Sequence, residues 1–365
     1  MRFTTQRGKL STAISNVSRA VAVRSAIQSL EGVLIRIREN EIELCAYDLE
    51  FSISTSLPAT NTIEGDIVLP ANRFGEMLKK LSTDTVTVEA DEKCLVTVSG
   101  GNAVFTILGI PAHDFPQIPP VNNNNDICID SLVFKNMIDR TIFAVSDDED
   151  RVAYTGLLFD FEKDKLSVIG VDGYRMAVRS EKIKNDVLRK LIVPSTTLRE
   201  ITRLMEDEGG NTLICFTMKK ILFKIGAYTV YSRLLDGDYF QYKEAVPTAF
   251  KTTFEVERRI FLNAIERMNL IVIERVKNPV RCKITNTEIA MHVDSTIGKS
   301  SDVVECDIKG EELYIGFNCR YMLEGLRACE SEKINVLISG PLSPIIIEPT
   351  SDKNFLYLVL PIRVK

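Results

Sequence analysis

The sequence predicts an α+β protein: one unit written three times, each with two helices packed on one side of antiparallel strands. Three observations predict it. Segments beginning at Leu30 ("LEGVLIRIRENEIELCAYDLE"), Tyr154 ("YTGLLFDFEKDKLSVIGVDGY") and Asn278 ("NPVRCKITNTEIAMHVDS") each read as strand, polar turn, strand. The pairs Gly32/Gly156, Asn40/Asp164, Asp48/Asp172, Pro70/Pro194 and Asp114/Asp238 are all separated by 124 residues, a fixed offset that marks an internal repeat. Finally, an apolar stripe at helical spacing recurs at the start of each unit.

The elements follow in one order. Each unit opens with a short strand and an amphipathic helix: "FTTQRGKLSTAISNVSRAV", "ICIDSLVFKNMIDRTIFAV" and "TFEVERRIFLNAIERMNLI". Leu10, Ala13, Ile14 and Val17 share a helical face, as do Phe134, Met137, Ile138 and Thr141, and Phe261, Ala264, Ile265 and Met268. The hairpin comes next, then a strand leading into a second helix. Asn72, Ser195 or Thr196, and Asn318 are the residue types that cap such helices. Further strands close each unit. The asparagine run at 122–125 and the stretch "KEAVPTAFK" read as linkers, which sets the units at 1–121, 126–247 and 251–365.

Composition narrows the function classes. No apolar run is long enough for a membrane span, and no signal segment opens the chain, so a soluble cytoplasmic protein is expected, with no membrane partner. The eight cysteines include no C-x-x-C pair, which fits reduced thiols in place of zinc or a redox motif. The two histidines, His113 and His292, lie far apart, and no phosphate loop, H-E-x-x-H or G-x-S-x-G motif is present. No catalytic residue, cofactor or metal is expected. The acidic run Asp147, Asp148, Glu149 and Asp150 leaves open a metal-dependent hydrolase, although consecutive residues do not share one face, and a solvated loop is the simpler reading.

Charge on the helices points elsewhere. Lys79, Arg203 and Arg327 occupy one position in the three second helices, 124 residues apart each time. Arg73, Lys80, Arg199 and Arg320 lie nearby; Arg140 and Arg267 sit on first helices with Arg7 and Arg258, and Arg24 lies just beyond. The plain alternative is a set of solvated helix faces. If the units curve so that these helices face one way, their cations converge, although the chain as a whole carries a net charge of −5. Helices pack about 8–10 Å apart, so twelve of them from two chains would line a ring of roughly 110 Å circumference, of which one chain supplies half. Basic side chains around such a hole would meet phosphates without reading bases. A repeat-built peptide-binding scaffold, with its cations merely solubilising, is the competing reading.

Three repeats, "VDGYRMAV" in the second, "DFPQIP" closing the first and the terminal "LVLPIRVK" together resemble the bacterial sliding clamps, β subunits of the replicative DNA polymerase, over the whole chain. The resemblance implies three clamp-type domains, a head-to-tail homodimeric ring around duplex DNA, no catalysis, and docking of the replicative polymerase, the clamp loader and repair proteins through short peptides. It further implies a hydrophobic peptide pocket. Tyr154, Val171, Gly173, Tyr174, Arg175 and Met176 would contribute from the second repeat, with Phe240, Ala245 and Pro247 from its end. Asn318, Tyr321, Leu342 and Pro344 would come from the third repeat, and Val359, Leu360, Pro361, Ile362, Arg363 and Val364 from the tail. At the dimer seam Phe105 and Ile107 would meet Ile271 and Val272. The charged partners found at this seam in the family are largely missing here, so the interface should lean on apolar burial. Acids also fill 147–150, where the family presents polar groups to DNA.

Overall fold

The computed structural model describes residues 1–121, 126–273 and 279–364; the linker expected at 122–125 and the start of the third hairpin at Asn278 lie outside them. Six α-helices occur among the described residues: α1 (Arg7–Val17), α2 (Ala71–Lys80), α3 (Ser131–Asp139), α4 (Ser195–Glu208), α5 (Arg258–Asn269) and α6 (Cys319–Ala328). They stand two to a repeat, in the predicted order. The predicted stripes are their buried faces. Leu10, Ala13, Ile14 and Val17 of α1 and Phe261, Ala264, Ile265 and Met268 of α5 are all buried. A fully buried side chain of this kind contributes about 1.5–3 kcal/mol. Thr141 is also buried but lies beyond α3, where its hydroxyl donates to the Met137 carbonyl at 2.8 Å.

Two compact units emerge, Met1–Lys135 with Thr196–Leu234, and Asn136–Ser195 with Leu235–Lys365. They follow the sheets, which cut across the repeats. In the first unit a nine-stranded sheet joins the hairpin of repeat one to the closing strands of repeat two, through Phe51–Pro58 against Tyr228–Arg233. In the second unit another nine-stranded sheet joins the hairpin of repeat two to the closing strands of repeat three, through Arg175–Lys182 against Phe355–Val359. Repeat two is thus divided between the units. Two smaller sheets are left over. Repeat one keeps a five-stranded sheet ending on Ala103–Leu108, and repeat three a four-stranded sheet ending on Gly298–Glu305.

The fixed sequence offset has a structural counterpart. Gly32 pairs with Pro70, and Gly156 pairs with Pro194 in the same register. A Cβ on Gly32 would come within 2.7 Å of the Leu69 carbonyl oxygen, and one on Gly156 within 2.5 Å of that of Val193, so both positions require glycine. Arg7 and Arg258, which the sequence groups with the solvent-facing cations, are half-buried braces. Arg7 Nε donates to the Thr83 carbonyl at 2.8 Å and Arg258 Nε to that of Ser331 at 3.0 Å. Their Nη1 groups reach the Leu78 and Leu326 carbonyls, near the C-terminal ends of α2 and α6, where backbone acceptors lack helical partners.

Among the described residues one expected cap is seen: Asn318 Oδ1 accepts from the Tyr321 N–H at 3.3 Å. Pro70 is the N-cap of α2, which leaves Asn72 inside the helix, and α4 already begins at Ser195. Four cysteines (Cys215, Cys282, Cys319 and Cys329) are buried, Cys128 is exposed, and all eight are free thiols. Burial pushes the Cys45 and Cys319 thiols up to about 12.

Candidate peptide pocket and cationic helix faces

The Asp172-Gly173-Tyr174 turn joins two strands of the second unit, Lys165–Val171 and Arg175–Lys182. Asp172 Oδ1 accepts from the N–H groups of Tyr174 (2.8 Å) and Arg175 (3.0 Å), while Gly173 takes φ +92°. An aspartate in this geometry replaces a backbone turn, and only glycine enters the left-handed region without strain. The Leu360 N–H donates to the Tyr174 carbonyl at 2.8 Å, tying the C-terminal strand to the turn. The Tyr174 side chain stands 59% exposed, stacked on Tyr321 with ring centroids 6.5 Å apart.

Arg175, expected in the pocket, lines the cavity but is almost wholly enclosed. It is 5% exposed. Its Nε donates to Asp172 Oδ2 at 2.9 Å, its Nη2 to the Phe143 carbonyl at 2.6 Å, and its Nη1 pairs with Glu324. The guanidinium lies 4.4 Å from the Tyr321 ring centroid. Five donors in a rigid fork satisfy three acceptors at once, so the residue braces the turn from behind.

Above this brace lies an apolar cavity of about 160 Å³. Tyr154, Val171, Gly173, Tyr174, Arg175, Met176, Phe240, Ala245, Pro344 and Leu360 line it, all named from the sequence, together with Arg151 and Leu358, which sequence reasoning missed. Strand alternation explains Leu358. Successive side chains point to opposite faces, so Leu358 and Leu360 face the cavity while Val359, fully buried, faces the core. Val359 is therefore corrected from a wall residue to a core residue.

Pro247, Asn318, Tyr321, Leu342, Pro361, Ile362, Arg363 and Val364 are absent from this lining. Asn318 is occupied as the cap of α6, and Leu342 stands 68% exposed. The tail is pinned, with the Ile362 N–H donating to the Gly316 carbonyl at 2.7 Å. Val364 packs over Gly316, where a Cβ would come within 2.8 Å of its methyl group. Tyr321 lines a second, polar cavity of about 290 Å³ with Asp147, Asp148, Arg151, Tyr174 and Arg320. Tyr174 thus stands between the two cavities. In the acidic run, Asp148 Oδ1 accepts from the Asp150 N–H, and among the described residues no cluster of three or more metal-ligating side chains occurs.

The predicted DNA-facing cations divide by charge compensation. Arg24, Arg73, Lys79, Lys80 and Arg199 are exposed, and among the described residues none has an ion-pair partner within 4 Å. Arg73, Lys79 and Lys80 border a cleft of about 690 Å³ between α1 and α2, with Phe105 at its edge. Arg203 is exposed but paired with Glu200 at 3.0 Å, Arg267 with Asp302 at 2.5 Å, Arg320 with Glu324 at 3.0 Å and Arg327 with Glu266 at 2.8 Å.

Arg140 is a correction. It is 5% exposed, pairs with Glu330 and lies 3.7 Å from Asp352, which also binds Arg179. Burial and the neighbouring Arg179 pull its pKa below the ordinary arginine value. A guanidinium enclosed in this way is a tie within its unit and cannot meet a phosphate from solvent.

At the expected seam, Phe105 and Ile107 are half-buried on the edge strand Ala103–Leu108, where Val104 and Leu108 stand more than half exposed. Ile271 and Val272 are half-buried just after α5 and pack on the core of the second unit. The edge strand Gly298–Glu305 exposes Val303. Among the described residues no helix is long and apolar enough to cross a membrane.

Comparison with known proteins agrees with this geometry along the whole chain. Models of the N-terminal, central and C-terminal domains of the DNA polymerase III beta subunit match residues 1–119, 128–241 and 243–363. The chain is 32% identical over 377 residues to the beta sliding clamp of Bacillus subtilis, covering all of both proteins. It is 30% identical to that of Staphylococcus aureus, covering 100% of this chain and 99% of the relative. The crystal structure of the Bacillus subtilis DNA polymerase sliding clamp superposes with a TM-score of 0.97 at 31% identity, and the Streptococcus pyogenes beta subunit with 0.95 at 26%, each over all of both chains. The chain belongs to the DNA polymerase III beta subunit family, the bacterial sliding clamps, which are non-catalytic processivity factors of DNA replication.

Proposed function

We propose that this chain carries out the clamp role as a head-to-tail homodimer whose cationic helices surround duplex DNA and whose apolar cavity docks partner peptides. The observation that carries the ring is the leftover sheets. Within the chain, the closing strands of one repeat complete the hairpin sheet of the repeat before it, giving nine strands each time. Repeat one retains five closing-type strands ending on Ala103–Leu108, and repeat three retains four hairpin-type strands ending on Gly298–Glu305. Joined between chains, these two edges would build a nine-stranded sheet of the same design and leave neither of them exposed to aggregate. Phe105 and Ile107 of one subunit would then pack near Ile271 and Val272 of the next. In this reading the three domains span 1–121, 126–247 and 251–365.

Arg24, Arg73, Lys79, Lys80 and Arg199 supply the uncompensated positive charge for the DNA side. Arg203, Arg267, Arg320 and Arg327 would exchange a carboxylate for a phosphate. Such contacts carry no base information, so the ring slides. The cavity beside Tyr174 takes large apolar side chains of an extended peptide, with the turn and tail backbone fixing its direction. The replicative polymerase, clamp loader and repair proteins are the proposed carriers of such peptides, and the cytoplasm is the proposed compartment. Retention on nicked circular DNA after loading, with release on linearisation, tests the ring. Equal retention on both forms would defeat it.

A further inference from the structure

The first unit repeats, at one end of its nine-stranded sheet, the aspartate-centred turn that borders the peptide pocket, and we infer that this end is a second docking surface, for acidic peptide segments. The inference rests on the proposed pocket for its analogy, but its residues are separate. Asp48-Leu49-Glu50 is the first-repeat copy of Asp172-Gly173-Tyr174. Asp48 Oδ1 accepts from the N–H groups of Glu50 (2.9 Å) and Phe51 (2.7 Å), as Asp172 does in the second repeat. The Arg233 N–H donates to the Glu50 carbonyl at 2.9 Å, as the Leu360 N–H does to that of Tyr174. Strand pairing then sets the Met218-Lys219 turn two strands away at the same sheet end, through Phe51 opposite Ser232 and Arg233 opposite Lys220.

Leu49 is the informative residue. It takes φ +82°, where the equivalent Gly173 takes +92°. A leucine in the left-handed region is an outlier, and such outliers cluster at functional sites. The strained peptide is actively held, since the Tyr47 hydroxyl donates to the Leu49 carbonyl at 3.0 Å. The side chain so held is 43% exposed, and Met218 is 77% exposed. Between these apolar groups Arg233 pairs with Glu50 at 2.7 Å, whereas neither Lys219 nor Lys220 has an ion-pair partner among the described residues. Two apolar anchors beside uncompensated lysines fit a short acidic segment carrying large aliphatic or aromatic side chains.

The test uses an acidic decapeptide bearing one Leu-Phe pair and methyl NMR of the full-length dimer in which Tyr174→Ala and Leu360→Ala disable the pocket. The Leu49 and Met218 methyl signals should shift saturably at millimolar peptide, and K219E with K220E should weaken that binding about tenfold. L49G should remove the binding while raising the melting midpoint, because glycine relieves the strain. Unmoved Leu49 and Met218 signals, binding unaffected by L49G, or a lowered midpoint in L49G would overturn the inference. Tight peptide binding that survives Tyr174→Ala and Leu360→Ala would count against the pocket alone, since the Leu49 signals report the second surface independently.

Discussion

The Leu360 N–H donates to the Tyr174 carbonyl at 2.8 Å, so the last strand of the chain holds the turn that borders the apolar cavity. Leu360 also lines that cavity. Deleting residues 360–365 should therefore remove one wall and loosen another. We expect partner-peptide affinity to fall at least about a hundredfold, nearly 3 kcal/mol, with the dimer intact. Fluorescence anisotropy with a labelled peptide, alongside light scattering, checks both parts; unchanged affinity would defeat the pocket assignment.

Arg175 acts through burial. Arg175→Ala leaves Asp172 and Glu324 facing each other without the cation that both touch, and it empties the space beneath Tyr321. Breaking a buried pair from one side costs about 3–5 kcal/mol, and we expect the lower end because Glu324 is a quarter exposed. Arg175→Lys should recover little, since an ammonium cannot meet three acceptors in a fork. Urea unfolding of both variants measures this.

Arg140 and Lys79 should separate cleanly. Lys79→Ala should leave stability unchanged and flatten the salt dependence of DNA binding by about 0.9 in log–log slope for each phosphate that the lysine neutralises. Arg140→Ala should lower stability and leave that slope unchanged. A flattened slope in Arg140→Ala would overturn its assignment as an internal tie.

The subunit seam should respond weakly to salt. The side chains available at its edges include Val104, Leu108 and Val303, with Phe105, Ile107, Ile271 and Val272 behind them. Apolar burial is not screened by ions. Sedimentation at low and high ionic strength should give dissociation constants within about threefold; a steep rise with salt would mean that charge pairing dominates.

Glu348 supplies a pH test. Burial raises its carboxyl pKa above the ordinary glutamate value. A raised folded-state pKa means that the native state favours the protonated form, so this residue's contribution is most favourable below the unfolded pKa and is lost as pH rises through the folded one. Glu348→Gln should match the parent in acid and melt higher at neutral pH. Equal melting midpoints at neutral pH would show that the carboxylate is adequately solvated.

Periodicity and offset carry most of the fold. Leu10, Ile14, Phe261 and Ile265 read directly as helix faces because burial there follows a period that sequence displays. The 124-residue spacing marks the two glycine–proline pairings, Gly32 with Pro70 and Gly156 with Pro194, by position alone. Charged residues are the weak point. A sequence shows that Arg140 and Arg175 are cationic but not that Glu330 and Asp352 enclose the first, or that Glu324 joins the neighbouring Asp172 on the second, because those contacts close over long loops. The pocket is legible through motif resemblance, and the errors in its lining are geometric. Val359 falls in with its neighbours because a motif has no sidedness, whereas a strand does. Leu49 escapes notice in the sequence because only backbone angles reveal what a leucine does in a glycine's place.

The module inherited in triplicate is not the module that folds. Because each large sheet is completed by strands from the following copy, a fragment cut after the first linker would expose the flank of Phe51–Pro58, an unprotected template for fibrillar stacking. Gene fusions or excisions that respect the repeat boundary would cleave through a sheet, whereas those that respect the sheets would interrupt the repeat. Removing or adding one copy would therefore leave a large sheet without the strands that complete it.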